Sequence, residues 1–355
     1  MIILEGRKLA EKILADLKNE IKCRNLELKL AVVLIGNNRI SEIYIKEKEK
    51  ACQTVGVGFR LFKFPAGITT KELKTALQQI VQNPANAGAI VQLPLPKHID
   101  TAEILNTIPQ EKDVDVLSEK SLGKFYQGIS LILPPVVCAV SQLFKAYGIK
   151  MKGKHAVIVG AGRLVGKPMA LWLQREGAAV SVLDSSTKNI SFFTKNADII
   201  ISGVGKPDLI TGDMVKRGVV VIDAGTSVEG GKSKGDVEFQ SVSKKASYIT
   251  PVPGGVGPLT VACLFSNLMT LNELPRPKGR GIPCGASSFG SSHPRPKGRG
   301  YSRCQNKKDS GAWNPLISYY YRRISVLLSH NCKSADANCH LFSRGDGFAS
   351  GKVAE

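Results

Sequence analysis

The chain has 355 residues, of which 43% are hydrophobic and 22% charged, with 35 Gly and 18 Pro. This composition is typical of a globular protein and excludes collagen, a coiled coil and disorder along the whole chain, while the length favours two domains. The formal net charge of +20 is concentrated near the C-terminus, because residues 275–355 contain 14 Lys and Arg against 4 Asp and Glu.

Membrane and secretion signals are not apparent in the sequence. No stretch approaches ~18 consecutive apolar residues, and the N-terminus is amphipathic rather than a charged and then apolar signal sequence. We therefore expect a soluble, cytoplasmic protein. The cysteines of the first 274 residues are widely spaced, which predicts reduced thiols. They are Cys23, Cys52, Cys138 and Cys263.

Up to about residue 272, β-branched runs alternate with amphipathic stretches. The runs predict buried strands at 28–36, 87–96, 154–162, 178–184, 197–205 and 218–225. The amphipathic stretches predict helices at 7–22, 41–55, 70–82, 136–147 and 166–176. Such alternation predicts an α/β fold with a doubly wound parallel sheet. A Lys/Gly-rich stretch after Gly148 predicts a domain boundary.

The helix predicted at 41–55 carries a stripe of small, aromatic and basic residues at intervals of three and four. The stripe consists of Ser41, Tyr44, Lys48, Ala51, Cys52 and Val55. The neighbouring Lys and Glu residues are typical of a solvated face. Lys48 instead either extends its amine to solvent or holds it in a pocket with a lowered pKa, suited to proton transfer. Tyr44 either packs in the core or orients Lys48 and stacks on a planar ligand.

Polar residues in two further segments are candidates for contact with a ligand. Gln92 interrupts the apolar run AIVQLPLP, at the end of a strand where open α/β sheets bind ligands. It is either a ligand contact or a hydrogen-bonded structural amide. Asp113 and Asp115, in EKDVDVL, either cap a turn or bind a ligand.

A glycine-rich turn in VIVGAGRLVGKP, 157–168, leads from a predicted strand into a predicted helix. Gly160 and Gly162 allow a tight turn and close approach to a pyrophosphate, which the N-terminus of a helix attracts. The spacing is one residue longer than the usual dinucleotide fingerprint. Asp184, about 22 residues later, is placed to bind a ribose diol, so together they favour a nicotinamide dinucleotide over a plain turn.

A proline-glycine turn in ITPVPGGVGPLTVACLF, 249–265, precedes a last predicted helix, 258–271. The turn is either a rigid connection or a source of backbone contacts to a bound heterocycle. Beyond residue 274 the heptapeptide PRPKGRG occurs twice, at 275–281 and 294–300, in Gly/Ser/Arg-rich sequence. This composition cannot bury enough apolar surface to offset the entropy of ordering, which predicts disorder over 273–355.

These motifs together resemble the tetrahydrofolate dehydrogenase/cyclohydrolase family over residues 1 to about 272. The resemblance is carried by Ser41, Tyr44 and Lys48, by VQLPLP, KDVD and VGKP, by GKPDLITGDMVKRGVVVIDAG and by PVPGGVGPLT. It implies a folate-binding catalytic domain (1–148, with a returning helix, 256–272), a Rossmann-like NAD(P)-binding domain (149–255) and a cleft between them. It also implies a homodimer assembled through the NAD(P)-binding domain, and no metal.

The resemblance implies that a nicotinamide cofactor oxidises 5,10-methylenetetrahydrofolate to the methenyl form, which water then converts to 10-formyltetrahydrofolate. Lys48 would transfer protons, helped by Tyr44 and Gln92. The substrate would be bound by Tyr44, Lys48, Val91, Gln92, Leu93, Asp115, Pro253, Gly254, Gly255, Val256 and Gly257. The cofactor would be bound by Gly160, Ala161, Gly162, Val165, Gly166, Asp184, Ser185 and Thr226.

The sequence departs from the family pattern at four places. Most members have Gly-Arg-Ser at Gly160–Gly162 and His-Ser at Asp184–Ser185. The arginine that would meet the 2′-phosphate of NADP is missing, Asp184 would repel that phosphate, and Arg163 is a possible substitute, so we expect NAD to be preferred. Pro135, Val136 and Val137 replace Cys-Thr-Pro, and Val116 stands where Gly usually follows KDVD.

Two alternatives remain open at this point. One is a dehydrogenase with weak or absent cyclohydrolase activity, because Pro135, Val136 and Val137 lack the hydroxyl that Thr supplies. The other is binding of nucleic acid or another anionic polymer through the basic tail, whose repeats are interleaved with Tyr and Trp. The tail also has four Cys and three His, but these lack the short paired spacing of a zinc module.

Overall fold

The computed structural model describes residues 1–229 and 232–273, without the side chains of Arg39, Ile40 and Lys232. The segment predicted to be disordered, 273–355, lies outside the described residues except for Glu273, which ends a helix. Within the described residues, no helix is both long and apolar enough to cross a membrane.

The described residues form helices and strands in alternation, as predicted. The helices are α1 (Gly6–Cys23), α2 (Arg39–Val55), α3 (Thr70–Gln82), α4 (Thr101–Asn106), α5 (Glu119–Gln127), α6 (Pro135–Ala146), α7 (Gly166–Arg175), α8 (Ile190–Thr194), α9 (Phe239–Val242) and α10 (Val256–Glu273). The strands are β1 (Ile2–Ile3), β2 (Lys29–Ile35), β3 (Gly58–Phe64), β4 (Gly88–Val91), β5 (His155–Val159), β6 (Ala179–Leu183), β7 (Ile199–Ser202), β8 (Val220–Asp223), β9 (Ser227–Glu229), β10 (Lys232–Lys234) and β11 (Tyr248–Ile249). Short 3-10 turns lie at Gln110–Lys112 and Gly212–Met214.

The larger sheet has six parallel strands in the order β1-β11-β8-β7-β5-β6. From β5 the chain passes first to β6 on one side and then to β7 on the other. The connections after β5 and β7 therefore meet at the point where strand order reverses, which is where open α/β sheets bind ligands. The predicted doubly wound parallel sheet is confirmed.

The smaller sheet is parallel, in the order β3-β2-β4. Its central strand, β2, is buried on both faces because successive side chains point to opposite sides. Leu30, Val32 and Leu34 join one hydrophobic cluster with α1 and α10, whereas Ala31 and Val33 join another with α3 and α4. A capping box at Thr69 and Glu72 begins α3, which covers this second face.

Helix α10 returns from the larger sheet to pack in the half of the molecule that carries the smaller sheet. It is buried around almost its whole circumference and packs against α1 and α6. The Asn267 amide nitrogen donates to the carbonyl oxygens of Val114 and Leu133, each at 2.8 Å, so α10 also fixes the loops between α4 and α6.

The sequence analysis missed β3, the longest of the strands that it did not predict. Phe59, Leu61 and Phe62 lie among charged residues, and all seven positions of the strand but Lys63 are half-buried. This edge strand thus lacks the continuous apolar run by which the central strands were recognised.

The cysteine prediction is wrong for one pair. Cys138 of α6 and Cys263 of α10 form a disulfide, whereas Cys23 and Cys52 are free. The two bonded residues are 125 positions apart in sequence, but the packing of α6 on α10 brings their Cα atoms to 6.0 Å. Wide spacing along the chain therefore did not exclude a pair that the fold brings together.

Candidate active site

Helix α2 presents the predicted stripe to the interior of the molecule. Ser41, Ala51, Cys52 and Val55 are buried, and Tyr44 and Lys48 are half-buried. The apolar end of the stripe anchors the helix in the core. Lys48 is thereby held against the protein rather than extended freely into water.

The amine of Lys48 has a defined partner. Its Nζ donates a hydrogen bond of 2.8 Å to Oε1 of Gln92, the first residue after β4. The Gln92 amide nitrogen donates in turn to the carbonyl oxygen of Leu93 at 3.0 Å, which aims Oε1 at the lysine. For Lys48, this geometry favours an amine held in a pocket over one extended to solvent. Gln92 is a hydrogen-bonded amide, and its contact with a ligand stays a prediction.

Asp115 lies in the loop that follows the 3-10 turn, and buried contacts hold that loop. Lys112 donates from Nζ to the carbonyl oxygens of Val81 and Asn83, at 2.6 and 2.9 Å, at the end of α3. The Asp113 carboxylate accepts from the backbone N–H groups of Leu117 and Ser118. The turn-capping interpretation therefore fits Asp113, whereas Asp115 is left to face Lys48.

Lys48 and Asp115 perturb one another electrostatically. Burial lowers the pKa of Lys48 and is opposed by the nearby charge of Asp115. Burial likewise raises the pKa of Asp115, against the opposing effect of Lys48 and with a smaller contribution from Asp113. Since burial is the larger effect for both groups, each is shifted toward its neutral form. The Lys48 ammonium group therefore loses a proton more readily than that of a lysine in water.

The predicted folate-binding turn, Pro253–Gly257, lies at the start of α10. The carbonyl oxygen of Gly254 accepts from the backbone N–H of Arg7 at 2.9 Å, so α1 and α10 begin side by side. Gly255 and Val256 are buried, while Pro253 and Gly257 are exposed. Val91 is buried in β4, and Leu93 follows Gln92 at the edge of the same sheet.

The predicted dinucleotide turn connects β5 to α7. Gly160 has φ +102°, a value that favours glycine, and its N–H donates to the carbonyl oxygen of Leu183 at 2.8 Å. Val165 immediately precedes α7, and its side chain makes no capping hydrogen bond to the first N–H groups of the helix. Gly166 begins the helix and is buried, while Ala161 and Gly162 lie on the accessible side of the turn.

Asp184 follows β6, next to the turn after β5. Its Oδ1 accepts from the N–H and the hydroxyl of Ser186, at 2.9 and 2.5 Å, and these hydrogen bonds lower its pKa. An exposed carboxylate therefore stands at this position, beside the exposed Ser185. Thr226 is half-buried just after β8.

Some predicted residues lack a described partner in this geometry. Tyr44 lies one turn before Lys48 on α2, but no polar contact of its side chain defines a role. Val136 and Val137 are buried in the first turn of α6. A cavity of about 830 Å³ lies between α3, α4 and α10. Its lining, which includes Lys74, Glu103 and Leu271, contains none of the predicted site residues.

Sequence reasoning missed three buried polar residues near these loops. They are Asn267, Asp223 and Asp236. Asn267 interrupts an otherwise apolar helix, and such a buried amide is a signal that could have been noticed. Asp223 ends a strand and Asp236 follows a hairpin, where sequence alone does not distinguish a buried carboxylate from a surface turn.

Comparison with known proteins follows the same division of the chain. Residues 4–115 match the model of the tetrahydrofolate dehydrogenase/cyclohydrolase catalytic domain, and residues 134–275 match that of the NAD(P)-binding domain of the same family. The chain is 47% identical over 271 residues to the bifunctional protein FolD of Nautilia profundicola, covering 75% of this chain and 95% of that protein.

Solved structures agree with the sequence relatives. The crystal structure of the bifunctional FolD enzyme, a methylenetetrahydrofolate dehydrogenase/cyclohydrolase, from Campylobacter jejuni superposes with a TM-score of 0.73 at 42% identity. It covers 77% of this chain and 99% of its own. The Trypanosoma brucei enzyme, complexed with NADP and an inhibitor, gives 0.74 at 32% identity, covering 77% and 97%.

Val116 provides a test of how the Asp115 loop is held. It is buried with φ +58°, a conformation that costs an L-residue about 1–2 kcal/mol. Replacement by either Ala or Gly removes the buried valine side chain. Only Gly also removes the strain of the positive φ angle, because it has no Cβ atom. We expect Val116→Gly to be more stable than Val116→Ala by about 1 kcal/mol in denaturant unfolding.

The buried helical residue Val140 of α6 is the control, because ordinary helical backbone reverses the order of the two substitutions. There the Gly variant should be less stable than the Ala variant by about 1 kcal/mol. The same order at both positions would contradict a strained backbone at Val116.

The coupling of Lys48 and Asp115 is testable by titration. Asp115→Asn removes the negative charge that favours the ammonium form, so we expect the pKa of Lys48 to fall further below 10.5. NMR of lysine-labelled protein measures it. Glu47→Gln, an exposed change one residue away at a side chain paired with Lys50, should leave this pKa unchanged. A rise in Asp115→Asn would rule out the coupling.

Proposed function

The chain belongs to the tetrahydrofolate dehydrogenase/cyclohydrolase family, and we propose that Lys48, Gln92, Asp115 and Tyr44 form the site at which its two reactions occur. The protein is a bifunctional enzyme, a methylenetetrahydrofolate dehydrogenase and methenyltetrahydrofolate cyclohydrolase. The observation that carries the site assignment is the half-buried Lys48 amine, hydrogen-bonded to Gln92 and electrostatically coupled to Asp115.

In the first reaction, 5,10-methylenetetrahydrofolate loses a hydride and becomes the 5,10-methenyl cation. The nicotinamide cofactor supplies the hydride acceptor. In the second reaction, water adds to the methenyl carbon, a proton leaves and the ring opens to 10-formyltetrahydrofolate. Both steps concern one carbon, so a single group beside it can serve both.

Lys48 is proposed to handle the protons at that carbon. Its lowered pKa favours the neutral amine relative to a lysine in water, and that form accepts a proton from the attacking water and returns one when the ring opens. A permanently charged lysine could do neither and would also repel the methenyl cation. Gln92 fixes the direction of the amine, and Tyr44, one helical turn away, is proposed to position both the lysine and the substrate.

Substrate binding is proposed to extend from Asp115 to the start of α10. The Asp115 carboxylate would accept hydrogen bonds from the N–H groups of the pterin. Val91, Leu93 and the turn Pro253–Gly257 would line the remainder of the folate. Support comes from α10, which begins at this turn and, through Asn267, bonds to the residue before Asp115.

The cofactor is proposed to bind at the turn after β5, where strand order reverses. Gly160, Ala161, Gly162, Val165 and Gly166 would surround the pyrophosphate, because the N-terminal end of α7 carries the partial positive charge of the helix dipole. Asp184, Ser185 and Thr226 would contact the ribose and nicotinamide portions. NAD is proposed as the preferred cofactor, since the exposed Asp184 carboxylate would repel the 2′-phosphate of NADP.

Assembly through the NAD(P)-binding domain and a cytoplasmic location are also proposed. A homodimer formed through the NAD(P)-binding domain is consistent with β6, an edge strand on which Val182 is exposed. The cytoplasmic location, the independence from metal and the domain bounds 1–148 and 149–255 stay predictions. Anionic-polymer binding by the tail concerns residues outside those described.

The first test removes the proposed proton-transfer amine. Lys48→Met should reduce both activities by at least about 100-fold, the usual contribution of a positioned acid–base group. Both rates are measured on the purified protein, with NAD and NADP for the dehydrogenase. Lys46→Met, at an exposed position of the same helix, should keep the wild-type rates. Comparable rates for wild type and Lys48→Met would remove Lys48 from this role.

The second test concerns cofactor choice. Asp184→Ser removes the repulsive carboxylate, so kcat/KM for NADP relative to NAD should rise by about tenfold. Asp213→Ser, which removes another exposed carboxylate far along the chain, should leave the ratio unchanged. A wild-type enzyme that favours NADP more than tenfold would refute the preference.

A further inference from the structure

Asp236 is a fully buried carboxylate that the reaction scheme does not use. It accepts four hydrogen bonds, all from the end of β7 and the loop that follows. Oδ2 accepts from the Ser202 hydroxyl and the Val204 N–H, each at 2.7 Å. Oδ1 accepts from the N–H groups of Gly205 and Lys206, at 2.9 and 2.8 Å. One side chain therefore sets the backbone path of residues 202–206.

That loop forms a wall of the proposed dinucleotide site. A Cβ atom built on Gly160 would lie 2.9 Å from the carbonyl oxygen of Gly203, and one on Gly203 would lie 2.5 Å from a methyl group of Val165. The loop thus packs directly on the turn between β5 and α7. Because β5 and β7 are neighbours at the reversal of strand order, a shift of residues 203–206 changes the space available to a dinucleotide.

A second buried carboxylate, Asp223, connects the same region to the turn before α10. Asp223 ends β8 and accepts from the N–H groups of Gly225 and Val237, at 3.0 and 2.9 Å. Its own N–H donates to the Thr250 hydroxyl at 2.7 Å, immediately before the proline-glycine turn. Burial, the largest effect, raises the pKa of Asp223 to about 6, and the charge of Asp236 adds to this shift.

Each of the two carboxylates packs closely against a backbone glycine near the other. A Cβ atom on Gly225 would lie 2.1 Å from the carboxyl carbon of Asp236, and one on Gly235 would lie 2.1 Å from Oδ2 of Asp223. The Asp236 carboxylate thus occupies the space that a side chain at position 225 would need, and the Asp223 carboxylate occupies the space that a side chain at position 235 would need. Burying two carboxylates close together raises the free energy of the folded state. Their presence in the interior indicates that the loops they hold must keep a fixed position.

We propose that Asp236 is a positioning residue for hydride transfer, holding the loop 203–206 at the distance from the dinucleotide turn that places the nicotinamide correctly. The inference rests on the proposed function. Asp236 and Asp223 act on the larger sheet, whereas Lys48, Gln92 and Asp115 lie at the smaller one. The cyclohydrolase reaction needs no dinucleotide, so loss of Asp236 separates the two activities.

The test measures both activities in the same preparations of full-length protein. Asp236→Asn replaces one carboxylate oxygen with an NH₂ group that faces two hydrogen-bond donors. We expect kcat/KM for the dinucleotide to fall at least about 30-fold, with the larger part in kcat, while the cyclohydrolase rate stays within about twofold. Asp213→Asn, at an exposed carboxylate, should leave both activities unchanged.

Ser202→Ala is the milder variant, which removes one of the four hydrogen bonds and no charge. It should lower dehydrogenase kcat/KM by about three- to fivefold and leave the cyclohydrolase rate unchanged, and it keeps the proposal falsifiable if Asp236→Asn does not fold. Equal losses of both activities in Ser202→Ala, or none in either variant, would overturn the positioning role. A wild-type protein without either activity would contradict the proposed function itself and the inference with it.

Discussion

The proposed chemistry depends on one constraint, the removal of the Lys48 amine from bulk water without a full compensating charge. A fully solvated lysine stays protonated at neutral pH, and a lysine in tight contact with a carboxylate is held charged. Here burial outweighs the effect of Asp115 on Lys48, while Gln92 offers a neutral acceptor at 2.8 Å. The amine therefore keeps a hydrogen-bond partner in either protonation state.

Much of the surrounding fold serves to place three side chains from distant parts of the chain. Lys48 comes from a helix, Gln92 from the end of a strand and Asp115 from a loop. Each is held by buried contacts that are not themselves reactive, namely the apolar stripe of α2, the Leu93 carbonyl and the Asp113 carboxylate. Helix α10 begins at the proline-glycine turn and, through Asn267, bonds to the carbonyl oxygen of Val114 beside Asp115, so one element contacts both ends of the proposed folate site.

The sequence predicted the alternation of strands and helices because the central strands are apolar runs with clear glycine or proline ends. It did not predict β3, whose half-buried residues mix with charges, nor the disulfide between Cys138 and Cys263, which depends on helix packing. Lys48, Gln92 and Asp115 were identified partly from spacing and partly from family resemblance, since spacing alone left a solvent-directed lysine open. Asp236 was missed because nothing in its local sequence shows that four donors converge on it.

The position of the Lys48 amine relative to the reacting carbon is the central claim. A crystal structure of the protein with a non-reactive 5,10-methylenetetrahydrofolate analogue and NAD tests it directly. The account predicts the Lys48 nitrogen within hydrogen-bond reach of the one-carbon unit, about 3 Å or through one water, with the nicotinamide on the opposite face. An amine turned into bulk solvent, or a pterin bound away from Asp115, would contradict it.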